Sequence, residues 1–126
     1  NKLNSCDINC FYDEEKDARY NDGYTWTAPV SVFLSDISPY DVYNMAGNVS
    51  EWVADWYLDD YYKNSPDRNP TGPTITTMKV IRGGSFADSF LSACSDSPHI
   101  TQRRGLRPYQ NGVKEGFRLA TSDFGN

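Results

Sequence analysis

The stretch YNMAGNVSEWVADWY, residues 43–57, decides how the rest of this sequence is interpreted. Its first half places two Asn residues and a Gly close together, a composition typical of a tight polar loop. From residue 49 onward the side chains fall into two alternating sets, as they do on the two faces of a strand, which predicts a strand over residues 49–57. One set is Val49, Glu51, Val53 and Asp55, and the other is Ser50, Trp52, Ala54 and Trp56. The stretch therefore predicts a polar loop that leads directly into a strand.

Shorter signals lie on both sides of this stretch. The segment MKVIR at residues 78–82 predicts a second strand, which ends at the pair Gly83-Gly84. GFRLA at residues 116–120 predicts a closing strand, and VFL at residues 32–34 predicts a short extended segment. Ser38-Pro39 signals a turn between that segment and the polar loop.

Three longer stretches, residues 1–25, 59–73 and 87–115, show no sustained period of a strand or a helix. We expect the first to be a loop that ligands or a disulfide order. A structureless stretch as long as the third is uncommon in a compact domain and is usually functional. These patterns predict a loop-rich domain with a few short strands and little helix.

The composition excludes some classes of function. The 126 residues allow one domain. With 12 Lys and Arg against 17 Asp and Glu the formal net charge is −5, which argues against nucleic acid as the main partner because phosphate binding needs a basic face. No apolar run approaches the roughly 18 residues of a membrane span. The chain opens with Asn1 and no signal peptide is visible, so we expect a processed or excised piece of a longer protein.

The chain has three cysteines, Cys6, Cys10 and Cys94. Cys6 and Cys10 could form a small disulfide in an oxidising compartment. The odd count leaves a free thiol or an intermolecular partner. A structural zinc site does not fit, because such a site needs about four nitrogen or sulfur ligands and the only histidine is His99.

Residues 43–57, VIRGGSF at 80–86 and GFR at 116–118, in this order and spacing, resemble the formylglycine-generating enzyme family, also called the sulfatase-modifying factor family. DGY at 22–24 and TAPV at 27–30 fit the same family upstream. The resemblance implies an α+β, C-type lectin-like fold that is loop-rich, with short antiparallel strands and little helix. Family domains are usually much longer, so residues 1–126 resemble the C-terminal part of a single such domain, whose N-terminal half has no match here.

The resemblance also implies calcium, which members of this family bind through loops that match two segments. In the first loop the ligands are the side chains of Asn44 and Glu51 and the carbonyls of Gly47 and Val49. Calcium takes six to eight oxygen ligands of these kinds. Many relatives have Asp where this chain has Asn44, so we expect a lower affinity here. The alternative is that Asn44 and Glu51 only hydrogen-bond the loop.

In the second loop the resemblance implies the side chains of Asn4 and Asp22 and the carbonyls of Ser5 and Tyr24. The alternative is that Asp22 caps a turn. Either ion would act as a staple for a loop-rich domain with a limited core. Asn48-Val49-Ser50 matches the N-glycosylation pattern, but the family places it inside a packed calcium loop, so we expect it to stay unmodified.

The family's enzymes oxidise a substrate cysteine to formylglycine and hold copper(I) between two cysteine thiolates, and soft sulfur ligands suit that ion. The matching positions here are Asp88 and Ala93, and Cys94 lies one residue beyond the second. The resemblance therefore implies no copper and no formylglycine-generating activity. We expect Cys94 to be buried and inert rather than a nucleophile.

Two functions follow as hypotheses. The first is a non-catalytic binding or scaffold module of a larger protein, which holds a protein, small-molecule or glycan ligand on residues 86–115, or pairs with the missing N-terminal half. Its candidate contacts are four side chains of types found at interfaces or in solvated loops: His99, Arg104, Arg107 and Tyr109. The alternative is an oxidoreductase of the family whose catalytic groups come from a missing segment. The Cys6 and Cys10 pair and the bacterial relatives favour the periplasm or the cell surface.

Overall fold

The computed structural model describes residues 3–12, 16–89, 98–110 and 112–120. Four strands form one sheet: β1 (Ser50–Trp56), β2 (Lys79–Arg82), β3 (Arg103–Leu106) and β4 (Glu115–Gly116). The order across the sheet is β3-β2-β1-β4, with β1–β2 and β2–β3 antiparallel and β1–β4 parallel. The sheet is therefore mixed, and the expectation of antiparallel strands alone is wrong for β4.

Helix is nearly absent from the described residues. They contain one 3₁₀ turn, Tyr61–Lys63, and no α-helix. The helical part of the expected α+β class is therefore not seen, whereas the expectation of a loop-rich fold with short strands is confirmed. None of the helical segments in the described ranges is long and apolar enough to cross a membrane.

The core lies around the middle of the sheet. Val80 and Ile81 are both buried although neighbouring side chains of a strand point to opposite faces, so both faces of β2 are covered. Phe86 and Ala87 extend this core just after the strand. Many of the remaining buried side chains are polar, which means that hydrogen bonds carry much of the packing: Asn4, Ser5, Asp7, Asp17, Ser50, Ser85, Asp88 and Ser89.

The two strands predicted over residues 49–57 and 78–82 are confirmed as β1 and β2. The extended segment predicted at 32–34 is wrong, because these residues turn: the amide of Val32 donates to Pro29 O (3.1 Å). The turn at Ser38-Pro39 is confirmed, since the amide of Asp41 donates to Ser38 O (3.1 Å).

The prediction of no regular structure over residues 87–115 is wrong at β3. Its sequence, RRGL, has no apolar alternation, and the strand instead depends on contacts with distant residues. The guanidinium of Arg103 lies over the rings of Tyr57 (5.0 Å) and Tyr62 (4.5 Å), and it donates to Leu58 O (2.7 Å). Gly105 is required there, because a Cβ would lie 2.5 Å from the ring of Tyr57.

The closing strand predicted over residues 116–120 is mostly wrong. Only Glu115 and Gly116 pair with β1, and residues 117–120 continue without regular secondary structure.

Candidate functional site

A disulfide and hydrogen bonds between its own residues hold the N-terminal loop in place. Cys6 and Cys10 form a disulfide, and both are buried. The buried carboxylate of Asp7 accepts hydrogen bonds from the amides of Asn9 (2.7 Å) and Asp22. The amide of Asp17 donates to Cys6 O (3.2 Å), which ties the far side of the loop to the disulfide. A disulfide and buried carboxylates therefore order this loop where an apolar core is missing.

Three of the four residues predicted to supply ligands in the N-terminal loop contact one another at Asp22, through backbone amides rather than through the predicted carbonyls. One carboxylate oxygen of Asp22 accepts from the amide of Ser5 (3.1 Å), and the other accepts from the amide of Tyr24 (2.8 Å). Burial raises the pKa of Asp22, although these two bonds oppose the shift. The turn-capping role of Asp22, given above as the alternative, is thus present in the structure.

Asn4, the fourth predicted ligand, is buried with 1% of its surface exposed. Its side-chain amide donates to Trp26 O (2.8 Å) and to Asn48 Oδ1 (3.3 Å). Its Oδ1 atom has no hydrogen-bond partner within the described residues. A buried acceptor without a partner costs about 1–3 kcal/mol, and a bound cation would remove that cost. The donor chemistry of this loop therefore fits a hard cation such as calcium.

The loop at Asn44 is held by a side-chain bond, a backbone bond and a close approach of its backbone to Asn4. The side-chain amide of Asn44 donates to Val30 O (2.7 Å). Gly47 has φ +72°, and its amide donates to Gly83 O (2.8 Å). A Cβ at Gly47 would lie 2.1 Å from the carbonyl oxygen of Asn4, so only glycine fits at this crossing.

A guanidinium faces Glu51 at the edge of an open groove, which all four predicted ligands of this loop line together with Arg118. Arg118 donates to both carboxylate oxygens of Glu51, with 2.6 Å from Nε to Oε2, and also to Tyr43 O (3.1 Å) and Asn44 O (2.9 Å). Glu51 raises the pKa of Arg118, so this cation stays charged. A calcium ion would have to share Glu51 with Arg118, and the residues present fit the ion less well here than at Asn4.

The two loops are joined through Asn48. Its amide donates to Asn4 O (2.8 Å), and its side-chain oxygen accepts from the amide of Ala28 (2.8 Å). Its side-chain nitrogen donates to Ala28 O (3.2 Å). This asparagine belongs to the glycosylation pattern, and both ends of its side chain already have partners.

Two residues near the loop carried no predicted role. Arg118 lies in the GFR motif, which marked the family but gave no partner for its side chain. Asp36 has one carboxylate oxygen, Oδ2, that is buried without a partner within the described ranges, and burial raises the pKa of Asp36 while the nearby Arg118 lowers it. Sequence spacing gave no signal for the bond between Arg118 and Glu51, because these residues are 67 positions apart.

Asp88 stands where the family resemblance placed the first copper-binding cysteine. Its carboxylate is buried and accepts from the amide (2.6 Å) and the hydroxyl (2.9 Å) of Ser85. Burial raises the pKa of Asp88, and the two bonds from Ser85 oppose the shift. Its carbonyl oxygen accepts from the amide of Cys6 (3.0 Å), which links this turn to the disulfide loop. Ala93 and Cys94, the other residues of this prediction, lie outside the described residues.

Two of the four predicted surface residues contact each other. Arg107 and Tyr109 come together, because Arg107 donates to the hydroxyl of Tyr109 (2.7 Å), and both are exposed. Arg104 lies within β3, opposite Ile81. His99 is exposed in a turn before β3, where its carbonyl accepts from the amide of Gln102 (3.0 Å).

Across the described ranges, no group of three or more His, Cys, Asp or Glu side chains is arranged to hold a metal ion. Each predicted ligand set contains one carboxylate, Asp22 or Glu51. Any ion there would depend on amide and carbonyl oxygens for its other ligands.

The described residues thus form a loop-rich domain with a mixed sheet and two joined loops. A family model described as "Sulfatase-modifying factor enzyme 1-like domain" matches residues 4–123. The chain therefore belongs to the sulfatase-modifying factor family, and the resemblance carried by residues 43–57, 80–86 and 116–118 is confirmed.

Three similar proteins illustrate the range of this family. The chain is 48% identical over 102 residues to the formylglycine-generating enzyme of Thermomonospora curvata, covering 79% of this chain and 32% of that enzyme. It is 30% identical over 107 residues to the inactive C-alpha-formylglycine-generating enzyme 2 of Mus musculus, covering 85% and 30%. Treponema denticola variable protein 1 superposes with a TM-score of 0.63 at 27% identity, covering 93% and 34%. The chain thus spans about a third of the length of each.

Proposed function

We propose that this chain is a calcium-stabilised, C-type lectin-like module of the sulfatase-modifying factor family that binds or scaffolds without oxidising a cysteine. The observation that carries the proposal is Asp88. Copper(I) needs soft sulfur ligands, and at this position the chain supplies a buried carboxylate whose bonds go to Ser85. Ala93 occupies the other position implied for a cysteine. The name of the mouse relative shows that one similar protein is inactive.

An oxidation assay tests the catalytic half of this proposal. The chain, loaded with copper(I), is incubated with a cysteine-containing peptide that the Thermomonospora curvata enzyme converts, and aldehyde formation is followed by mass spectrometry. We expect conversion by the enzyme and none by the chain. Conversion by the chain would contradict the proposal.

The second candidate is an oxidoreductase whose catalytic groups come from a segment outside these residues. Its support is the 48% identity to a formylglycine-generating enzyme. A longer form of the protein that contains such a segment separates the candidates in the same oxidation assay. Conversion of the cysteine peptide by the longer form, with none by this chain, favours the oxidoreductase. No conversion by either favours the scaffold proposal.

We infer that calcium binds first at the N-terminal loop. The support is the partnerless Oδ1 of buried Asn4, next to the Ser5 backbone that already holds Asp22. The loop of Asn44, Gly47, Val49 and Glu51 is the weaker of the two sites, because Arg118 neutralises its only carboxylate. Calcium then stabilises the crossing of the two loops at Asn48 rather than any catalytic step.

Calorimetric titration with calcium tests this ranking. We expect the unchanged chain to bind one ion more tightly than the other, and Asn4→Ala to lose the tighter event. Arg118→Gln frees Glu51 and is expected to strengthen the weaker event, whereas the matched control Arg107→Gln leaves both unchanged. Loss of the tighter event in Glu51→Gln, with Asn4→Ala unaffected, would reverse the ranking.

The binding surface of the module remains part of the proposal. The exposed pair of Arg107 and Tyr109 supports a protein or glycan ligand on residues 86–115, because Tyr and Arg are enriched at interface hot spots. His99 and Arg104 are the further candidates on the same segment. The disulfide between Cys6 and Cys10 supports an oxidising location such as the periplasm or the cell surface.

A further inference from the structure

The disulfide between Cys6 and Cys10 closes a short ring, residues 6–10, beside the predicted calcium ligands of the N-terminal loop. Both cysteines are buried. Asn4 and Ser5 directly precede the ring in the sequence, so a change in the conformation of the ring acts first on the backbone of these two residues. The cross-link is therefore placed where it can affect the site without supplying a ligand.

Asp7, inside the ring, joins the ring to Asp22. One carboxylate oxygen of the buried Asp7 accepts from the amide of Asn9 within the ring (2.7 Å), and the other accepts from the amide of Asp22. The carboxylate of Asp22 accepts from the amide of Ser5 (3.1 Å), the residue just before the ring. These bonds form a closed circuit, so the ring fixes the position of the only carboxylate in the predicted ligand set.

Further hydrogen bonds hold the ring at its Cys6 end. The amide of Cys6 donates to Asp88 O (3.0 Å), and Cys6 O accepts from the amide of Asp17 (3.2 Å). The amide of Cys10 donates to Asp7 O (3.0 Å), which lies within the ring itself. The disulfide adds a covalent tie between the two ends. Without it, the positions of Asp7 and Asp22 depend on hydrogen bonds alone.

We propose that this disulfide sets the calcium affinity of the N-terminal loop, so that the oxidised chain binds the ion and the reduced chain binds it much more weakly. The proposal rests on the calcium binding proposed for this loop. Groups that orient metal ligands without touching the ion typically change metal affinity by about 10- to 100-fold when they are removed. The disulfide and Asp7 are such groups, because they act on Ser5 and Asp22. The chain would thus acquire calcium after oxidation and stay largely free of it under reducing conditions.

The redox step is thiol–disulfide exchange. A dithiol reductant gives two electrons and two protons to the bond between Cys6 and Cys10, which becomes two thiols, and the reductant becomes a cyclic disulfide. Coupling between two equilibria is reciprocal, so calcium must also make this disulfide harder to reduce. For a two-electron couple, a tenfold difference in calcium affinity lowers the midpoint potential by about 30 mV in saturating calcium.

Calcium titrations of the oxidised and the reduced chain test the proposal. The background is Cys94→Ala, so that Cys6 and Cys10 are the only thiols, and the reductant is dithiothreitol. We expect reduction to weaken the tighter calcium event about tenfold or more. The weaker event, at the loop of Glu51, is the internal control and should keep its affinity. Cys6→Ser/Cys10→Ser should behave like the reduced chain with or without reductant.

The midpoint potential of the disulfide, measured in dithiothreitol redox buffers, is the second readout. We expect it to fall by about 30 mV or more in saturating calcium. Equal affinity of the tighter event in both redox forms, or a potential that calcium leaves unchanged, overturns the proposal while calcium binding itself stands. No calcium binding by the oxidised chain overturns both this proposal and the calcium-stabilised account.

A general effect of reduction on the fold is the remaining outcome. If reduction weakens both calcium events equally, or if the reduced chain is unfolded by circular dichroism at the temperature of the titration, the disulfide holds the whole domain rather than this site. Either result overturns the proposal.

Discussion

At the scale of single residues, Asp88 illustrates how one substitution changes the chemistry open to a fold. A thiolate would be a ligand for a soft metal, whereas a carboxylate at the same place closes a turn by accepting two bonds from Ser85. The backbone carbonyl of Asp88 also accepts a hydrogen bond from the amide of Cys6, which links this turn to the disulfide loop. Asp88 therefore has a structural task that a cysteine at this position could not perform in the same way.

The raised pKa of Asp88 predicts a pH dependence with a definite sign. In the folded state burial raises this pKa above the value of about 3.9 in the unfolded chain. The folded state then binds more protons in the interval between the two values, so stability falls as pH rises through that interval. Asp88→Asn keeps an oxygen for both Ser85 bonds and removes the charge. We expect this variant to show a smaller fall, measured as the free energy of unfolding in urea across pH.

Asp88→Ala is the companion variant, since it removes both hydrogen bonds. We expect it to lower the free energy of unfolding by about 1–3 kcal/mol at neutral pH. An Asn variant with the full pH dependence of the unchanged chain would show that another carboxyl is responsible.

At the scale of elements, the crossing of the two loops is the feature on which the site depends. Gly47 allows the backbone of its loop to pass against Asn4 O, and Asn48 then bonds the same carbonyl. The loops that carry the two predicted ligand sets are therefore one packed unit.

Gly47→Ala is predicted to separate these loops. Alanine at φ +72° is strained, and its Cβ would also lie 2.1 Å from Asn4 O. We expect a loss of more than about 1 kcal/mol in the free energy of unfolding. Gly23→Ala is the matched control, because Gly23 has φ +89° but no atom within 4 Å of the added Cβ. Equal losses in both variants would mean that the crossing contributes nothing beyond backbone strain.

The disulfide of the N-terminal loop gives a second prediction at this scale. Chain-entropy arguments assign a cross-link over so short a loop roughly 2 kcal/mol. In a Cys94→Ala background, where no other thiol is present, a strong reductant is expected to lower the melting temperature. The double variant Cys6→Ala/Cys10→Ala in the same background should not respond to the reductant. An unchanged melt on reduction, with thiol release confirmed by mass spectrometry, would show that buried carboxylates alone order the loop.

The elements differ in how far the sequence could predict them. β1 follows from local alternation, and β2 follows from the segment MKVIR and the Gly83-Gly84 pair that ends it. The loop before β1 follows from its Gly and Asn content. β3 could not be predicted, because it depends on Arg103 meeting Tyr57 and Tyr62 from another part of the chain. The same holds within the site. The bond from the Ser5 amide to Asp22 joins two residues that the family resemblance already groups, whereas the contact of Arg118 with Glu51 is seen only in the folded structure.

At the scale of the whole molecule, the described residues form a loop-rich unit with a small apolar core and many buried polar groups. Such a unit gains little stability from hydrophobic burial alone. A net charge of −5 adds repulsion that a bound cation would reduce. A cation bound at the loop crossing would stabilise this architecture.

The most direct measurement is a thermal melt of the chain in EDTA and then with excess calcium. A ligand that binds only the folded state stabilises it by about 2.7 kcal/mol at a hundredfold excess over its dissociation constant. We predict a clear rise in melting temperature with calcium, which is much smaller in Asn4→Ala. The full rise is retained in Asn9→Ala, a matched control in the same loop whose side chain pairs with Asn21. An unchanged melting temperature, or a rise that Asn4→Ala retains in full, would contradict the calcium-stabilised account.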